Sequence, residues 1–175
     1  MEKKFVMTAF SKDRPGIVAD ITEVIYENGC NLEDSTMTSM LDEFAIILLF
    51  AGKGDSLEDQ LLKDCRRLER EKGITAFIRS VEAREKEKQI KFFKKTIKAE
   101  GIDQTGIVFK VSRFLAKNNI NIENLASRRF TSPESGTPLY FMEIKVQVPE
   151  KISIELLEKG LSQVGEELNL EISVF

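Results

Sequence analysis

The chain of 175 residues contains no histidine and no tryptophan, and it has only two cysteines and four prolines. Without histidine, the usual general base and the commonest metal ligand are both missing, which argues against many classes of enzyme. No Walker-type loop is present, and no serine or cysteine nucleophile has a histidine to activate it. We therefore expect a protein that is not an enzyme, with no catalytic residues, no metal site and no cofactor.

Long apolar runs are also missing. The longest, from Phe44 to Ala51, has the length of a buried strand and falls well short of the ~18 residues that a membrane span needs. The amino terminus shows no apolar segment of the signal-peptide kind. The two cysteines, Cys30 and Cys65, fit a reducing compartment better than a disulfide framework. These features predict a cytoplasmic protein that does not contact a membrane.

The charge balance is mildly acidic. The formal net charge is −3, and 42% of the residues are hydrophobic and 31% charged, as in an ordinary globular protein. Nucleic-acid binders usually carry a basic domain or stripe, so we expect no direct nucleic-acid binding.

The chain repeats itself at an interval of ninety residues. The segment Asp13-Arg14-Pro15-Gly16-Ile17-Val18 returns as Asp103-Gln104-Thr105-Gly106-Ile107-Val108, and Asn28-Gly29-Cys30-Asn31-Leu32-Glu33 returns as Asn118-Asn119-Ile120-Asn121-Ile122-Glu123. Both matches keep the same offset, and the repeating unit has the size of a small domain. This spacing predicts a duplicated domain and not a solenoid.

Hydrophobic periodicity predicts the same order of elements in each half. In the first half a strand over 5–10 is followed by a helix over 17–27, strands over 31–40 and 44–51, a helix over 56–71 and a strand over 74–81. In the second half the corresponding segments are 93–99, 107–117, 121–131, 139–148, 153–168 and 170–175. Apolar residues at i, i+4, i+7 and i+8 mark the helices, as Ile17, Ile21, Val24 and Ile25 do. The order βαββαβ is the ferredoxin-like arrangement.

We therefore predict an α+β protein of two tandem ferredoxin-like βαββαβ domains, each an antiparallel four-stranded sheet with two helices on one face. The predicted domains span residues 1–84 and 93–175, joined by a charged linker over 85–92. The clearest departure of the second copy is the turn-rich insertion from Ser132 to Pro138, which lengthens the hairpin between its second and third strands.

The two predicted sheets differ in polarity. In the second half, polar residues alternate with apolar ones along the first and third strands, which is typical of a sheet with one wet face. In the first half, the third strand from Phe44 to Phe50 is apolar on both faces. We hypothesise that the open sheet face of the first unit is covered, either by the other unit or by a second copy of the chain.

A candidate binding loop lies at the start of the first helix. Asp13 is expected to cap the first turn, Pro15 lacks an N–H that would go unused there, and Gly16 lets another group approach the backbone. The helix dipole and the free N–H groups favour a carboxylate at this point. Asn31, at the start of the second strand, is expected across the entrance. The alternative is that Asp, Pro and Gly only shape the turn.

The pattern D-R-P-G-I-V, an amphipathic helix and then N-G-x-N-(I/L)-x resembles the signature of the ACT domain, a ferredoxin-like regulatory module. That family typically binds amino acids at interfaces between paired copies. Both halves carry the pattern, and two such domains without an attached enzyme are similar to the glycine cleavage system transcriptional repressor family. The resemblance implies ligand-binding residues at Asp13, Arg14, Pro15, Gly16, Ile17 and Asn31, and at Asp103, Gly106, Ile107 and Asn121. The second loop departs from the pattern at Gln104 and Thr105.

The function expected from this resemblance is non-catalytic and responsive to an amino acid, glycine or another small one. The protein would be a homodimer with a transcription-linked role exercised through a protein partner. Two alternatives stay open. The chain could be a detached regulatory subunit of an amino-acid biosynthetic enzyme, or an interaction module that binds no ligand.

Overall fold

The computed structural model describes residues 2–82 and 91–175. The chain divides into two compact units, Met1–Glu85 and Lys86–Phe175, and each is described here by itself. Most of the predicted linker over 85–92 lies outside the described residues. The predicted start of the second domain at 93 stays a prediction, and the first strand of that unit begins at Phe92.

The first unit has the element order predicted for it. Its elements are β1 (Glu2–Lys12), α1 (Ile17–Glu27), β2 (Asn31–Met40), β3 (Glu43–Lys53), α2 (Leu57–Lys72) and β4 (Thr75–Val81). The strands form one sheet in the order β2-β3-β1-β4, and each neighbouring pair is antiparallel.

The second unit repeats this topology. Its elements are β5 (Phe92–Ile102), α3 (Ile107–Lys117), β6 (Asn121–Thr131), β7 (Pro138–Pro149), α4 (Ile154–Leu168) and β8 (Leu170–Val174). The strand order is β6-β7-β5-β8, again antiparallel throughout. The prediction of two tandem ferredoxin-like units with α+β architecture is confirmed.

The core of each unit lies between the helices and one face of the sheet. In β1 every second side chain is buried, and these side chains meet the apolar stripe of α1, formed by Ile17, Ile21, Val24 and Ile25. Full burial of one such aliphatic side chain stabilises the fold by about 1.5–3 kcal/mol. This packing explains why the i, i+4, i+7 and i+8 spacing of α1 predicts its bounds correctly.

Both sheets carry a β-bulge at the same place near the start of the second strand. The register shifts between Leu32 and Asp34 in the first unit, and between Ile122 and Asn124 in the second. The bulged residue is Glu33 in one case and Glu123 in the other. Each glutamate lies close to a lysine of the first strand of its unit, with Lys4 at 2.7 Å and Lys94 at 3.4 Å. The duplication therefore preserved an ion pair that the sequence repeat alone did not reveal.

The two hairpins differ as predicted. Two residues, Leu41 and Asp42, connect β2 to β3, whereas the segment from Ser132 to Thr137 connects β6 to β7. The longer turn is closed by backbone hydrogen bonds from the Ser132 N–H to the Thr137 carbonyl and from the Gly136 N–H to the Ser132 carbonyl, each of 2.9 Å.

Candidate functional site

The first candidate loop is a type II turn. The Ile17 N–H donates to the Arg14 carbonyl over 3.3 Å, and Gly16 has φ 87° and ψ −7°. A type II turn requires positive φ at its third residue and favours proline at its second, and Gly16 and Pro15 meet these two demands. Within α1, the Asp20 N–H is bonded to the Gly16 carbonyl. The N–H groups of Val18 and Ala19 lie in the first turn of α1, where a helix offers no internal acceptor.

The expectation that Asp13 caps α1 is wrong. The residue at the helix N-cap is Gly16, and no side chain caps it. The carboxylate of Asp13 instead accepts a 2.7 Å hydrogen bond from the Ser39 hydroxyl, and the Asp13 N–H donates to the Asp42 carbonyl over 2.8 Å. The turn places three residues between Asp13 and the first residue of α1, and the contacts of Asp13 anchor the loop to the end of β2 and to the β2–β3 hairpin.

Arg14 folds back over the turn. Its Nη2 lies 2.6 Å from the Asp20 carboxylate in the first turn of α1, and Lys72 lies 3.3 Å from the other oxygen of Asp20. The hydrogen bond from Arg14, and to a smaller extent the one from Lys72, lowers the pKa of the Asp20 carboxyl. The guanidinium is therefore held at the first turn of α1 by a carboxylate that is ionised at neutral pH.

The second loop has the same backbone shape but different side-chain contacts. Gly106 has φ 90° and ψ 1° at the start of α3. The Asp103 N–H donates to the Pro138 carbonyl over 3.0 Å, and the Asp103 carboxylate lies 2.9 Å from Nε of Arg129. The amide of Gln104 donates to the Leu168 carbonyl at the end of α4. In the first loop Arg14 lies over the N-terminal turn of α1. In the second loop the equivalent residue, Gln104, instead binds the C-terminal end of α4.

Ile17 and Ile107 belong to the cores. Their exposed fractions are 3% and 2%, and both pack in the hydrophobic cluster of their unit. Any contact that these two residues make with a ligand must therefore come from the backbone. The other loop positions in the first unit, from Asp13 to Gly16, are exposed.

The expectation that Asn31 lies across the entrance from the loop is wrong. β1 and β2 both pair antiparallel with β3, so they run in the same direction. Asn31 pairs with Ala51, which pairs with Lys4, eight residues before the end of β1 at Lys12. At about 3.3 Å per residue, Asn31 lies about 26 Å along the strand from the loop.

The second unit has the same geometry, because Asn121 pairs with Gln147 and Gln147 with Lys94. In each unit the groups that meet the loop come from the other end of the second strand and from the hairpin after it. They are the Ser39 side chain and the Asp42 carbonyl in the first unit, and the Arg129 side chain and the Pro138 carbonyl in the second. The sequence reasoning missed these residues. The predicted topology could have identified them, since a parallel first and second strand place the end of the second strand beside the loop.

The cysteines have structural environments, as expected. Cys65 is 5% exposed within the first core, and Cys30 is half-buried against it. Burial raises the pKa of the Cys65 thiol to about 11, with a further contribution from Asp64, and burial also raises the pKa of Cys30. Both thiols are therefore protonated and weakly nucleophilic at neutral pH.

The α3 helix carries a basic surface that the sequence reasoning did not single out. A cleft of about 340 Å³ between α3 and α4 is lined by Lys110, Arg113, Lys117 and the aromatic Phe109. Phe109 is 63% exposed, and the Arg113 guanidinium lies 5.7 Å from the centre of its ring.

Among the helices of residues 2–82 and 91–175, none has the length and the apolar composition of a membrane span.

Known proteins resemble this chain in both sequence and structure. A family model of the ACT domain matches residues 3–79. The glycine cleavage system transcriptional repressor of Escherichia coli (strain K12) is 24% identical over 170 residues, which are 97% of this chain and 87% of the relative. A UPF0237 protein of Methanopyrus kandleri is 32% identical over 74 residues, 42% of this chain and 82% of the relative. The crystal structure of an unknown protein from Galdieria sulphuraria aligns over 99% of this chain and 98% of its own with a TM-score of 0.79 and 26% identity.

Fold and loops together define a protein of two tandem ferredoxin-like units, each with a glycine turn at the start of its first helix. The first of these units contains the part of the chain, residues 3–79, that the ACT domain model matches.

Proposed function

We propose that the chain is a non-catalytic regulator that responds to a small amino acid, and that the first loop is its binding site. The observation that supports this proposal is the pair of opposite charges at the exposed helix N-terminus. Arg14 lies over the first turn of α1, and Asp13 is the adjacent residue of the loop.

The charges match an amino acid zwitterion. Its carboxylate would bind Arg14 and the free N–H groups of Val18 and Ala19, since anions are favoured at a helix N-terminus. Its ammonium group would be attracted to the Asp13 carboxylate, which already accepts a hydrogen bond from Ser39. Pro15 and Gly16 leave the turn open to solvent, so a ligand can reach the loop.

The second loop is proposed as a weaker site or none. Arg129 already neutralises Asp103, and Gln104 is engaged with the Leu168 carbonyl. The ligand would therefore find a glycine turn at Gly106, with the neutral Gln104 in the position that Arg14 has in the first loop.

Asn31 lies far from the proposed site of its own unit, and Asn121 lies equally far from the second loop. About 26 Å of strand separates each of them from the loop of its own unit. A small amino acid cannot contact both, so Asn31 could join the first loop only from a second copy of the chain.

A transcription-linked role through a protein partner is proposed because the relative from Escherichia coli is named a transcriptional repressor. The net charge of −3 supports an indirect route. A direct route would have to use the basic surface of α3. If Arg113→Glu abolished a salt-dependent binding of DNA, the indirect route would be wrong.

A thermal-shift screen of the twenty standard amino acids tests the proposal. A ligand that binds only the folded state raises the unfolding temperature with concentration. We expect a shift with at least one small amino acid, and we expect Arg14→Gln to remove it. Gly106→Val is the matched control in the second loop. No shift with any amino acid at millimolar concentration would contradict the proposal and favour an interaction module without ligand.

A further inference from the structure

The first unit presents an apolar sheet face on the side away from its helices. Its residues alternate with the buried ones along each strand and form three rows across the sheet. In the strand order β2, β3, β1, β4, the rows are Asp34, Leu49, Val6 and Arg79; Thr36, Ile47, Thr8 and Phe77; and Thr38, Ala45, Phe10 and Thr75. Phe10, Ile47 and Phe77 are 45%, 53% and 63% exposed. Exposed aromatic and aliphatic side chains that are grouped on one face mark an interaction surface.

We propose that this face binds the same face of a second copy of the chain, with the two-fold axis parallel to the strands. The proposal is independent of the ligand. The sequence predicts a homodimer only in general terms, and this proposal specifies its interface and its symmetry axis.

The charges on the face favour this symmetry. Val6 pairs with Arg79 on one side and with Leu49 on the other, and Leu49 pairs with Asp34. One row across the sheet thus runs from a cation on the edge strand β4 to an anion on the edge strand β2. A two-fold axis along the strands, between β1 and β3, exchanges the two edges. Arg79 of one copy then faces Asp34 of the other, and the pair occurs twice.

The same operation matches large side chains with small ones. Strand β1 of one copy lies over β3 of the other, so Phe10 faces Ala45 and Ile47 faces Thr8. Strand β4 lies over β2, so Phe77 faces Thr36. An axis across the strands through the row of Thr8 would instead set β1 over β1 and Arg79 over Thr75, and the charges of Arg79 and Asp34 would then stay unpaired. Alternation of large and small residues is what a packed face needs.

The geometry of packed sheets tolerates this arrangement. Two sheets pack about 10 Å apart with strand directions within about 30° of each other. This rotation displaces the edge rows by roughly one residue, which the long side chain of Arg79 can span. The three rows of this face span about seven residues on four strands about 4.8 Å apart, so two facing copies would bury roughly 900 Å². The rows of Lys4 and Lys12 at the strand ends raise this to about 1,300 Å², at the lower end of a specific interface.

The second unit does not share this pattern. The row equivalent to that of Val6 contains Thr96 and Lys145 at its centre, with Phe175 and Asn124 at its ends. In the next row Lys98 and Glu143 lie 3.6 Å apart on the open face. Burying these central charges would cost more than burying Val6, Leu49 and Ile47. The open face of the second sheet is accordingly a poor dimer surface, and it provides the control.

Reversing the charges tests the proposal. Sedimentation equilibrium of the full chain should give a dimer, and Arg79→Glu or Asp34→Lys should each weaken it by about tenfold or more because like charges then face each other. The double variant should restore the dimer. An equimolar mixture of the two single variants should form a heterodimer, since each copy then offers the charge that the other lacks. Lys98→Glu, in the second unit, should leave the dimer unchanged.

Far-UV circular dichroism and thermal melting check that each variant folds, and both substituted side chains are exposed. A wild-type chain that is monomeric across micromolar concentrations would overturn the proposal, and the other unit or another partner would then have to cover the face. Single variants that dimerise like the wild type would also overturn it. The proposal would also be overturned if the folded double variant and the equimolar mixture of the two single variants both stayed monomeric.

Discussion

The carboxylate of Asp13 accepts a 2.7 Å hydrogen bond from the hydroxyl of Ser39. Ninety residues later the same two positions are Asp103 and Arg129, and they are joined by an ion pair of 2.9 Å. In both units, therefore, the aspartate at the start of the motif holds the loop against the end of the second strand. The aspartate does not cap the helix that follows.

The Asp13–Ser39 contact predicts a coupled effect on stability. Asp13→Ala should lower the free energy of unfolding by about 0.5–1 kcal/mol, the contribution of an exposed hydrogen bond. Ser39→Ala should cost a similar amount, and the double variant should cost little more than either single one. Urea denaturation of the four proteins measures this. Fully additive effects would show that Asp13 acts elsewhere, for example as a helix cap.

The ion pair of Asp20 predicts a dependence on pH. Hydrogen bonding from Arg14 lowers the pKa of this carboxyl in the folded state from its ordinary value of 3.8. The unfolded chain therefore binds the proton more tightly. The stability contributed by Asp20 is fully present above its ordinary pKa and is lost as the pH falls below that value.

Asp20→Asn should therefore flatten the decline of the unfolding temperature below about pH 4. Thermal melts of the wild type and the variant across the acid range measure this difference. Glu23→Gln, on the same helix, is the matched control. Parallel curves for the wild type and Asp20→Asn would contradict the assignment.

Gln104 and Arg14 occupy equivalent positions but have different expected roles. Gln104→Ala leaves the Leu168 carbonyl at the end of α4 without its side-chain donor, so it should lower the free energy of unfolding by about 1 kcal/mol. It should not affect ligand binding. Arg14→Gln should have the opposite profile, with a small effect on stability and a large one on the ligand. If Gln104→Ala removed ligand binding instead, the second loop would be the sensor.

The buried thiol of Cys65 should be unreactive. Its pKa of about 11 keeps it protonated, and the core shields it. At about pH 8 a thiol reagent should modify Cys30 first and reach Cys65 only as fast as the protein unfolds. Mass spectrometry of partly labelled protein identifies the site. Rapid labelling of Cys65 in the folded protein would contradict its place in the core.

The sequence predicts the fold far better than the site. The bounds of α1 and α3 match the periodicity of their apolar residues, because burial against one face dictates that periodicity. The predicted bounds of β2 and β6 also match, although no side chain of either strand is buried. The polar open face of the second sheet and the apolar open face of the first also follow from the sequence, through the alternation of residue types along the strands. The bulges at Glu33 and Glu123 were not predictable from periodicity, since a bulge changes the pairing without interrupting the strand.

Two placements within the predicted site are wrong, that of Asp13 as a helix cap and that of Asn31 beside the loop of its own unit. Asp13 lies near Ile17 in the sequence, but the type II turn intervenes. Asn31 does open the second strand, but this strand begins at the end of the sheet far from the loop. The repeat fixes the unit of folding, and the strand register decides which residues meet.

The register also predicts that Asn31→Ala leaves ligand binding by the first loop unchanged in a monomeric chain. A titration of the variant at a concentration below that of self-association measures this. A large loss of affinity under these conditions would mean that the ligand binds at the start of β2 and not at the loop.

Isothermal titration of the full chain with the amino acid that shifts its melting most is the most direct test of the central claim. We predict one bound molecule per chain, lost in Arg14→Gln and retained in Gln104→Ala. The absence of any binding heat from all twenty amino acids, or binding that survives unchanged in Arg14→Gln, would contradict the claim that the first loop senses an amino acid.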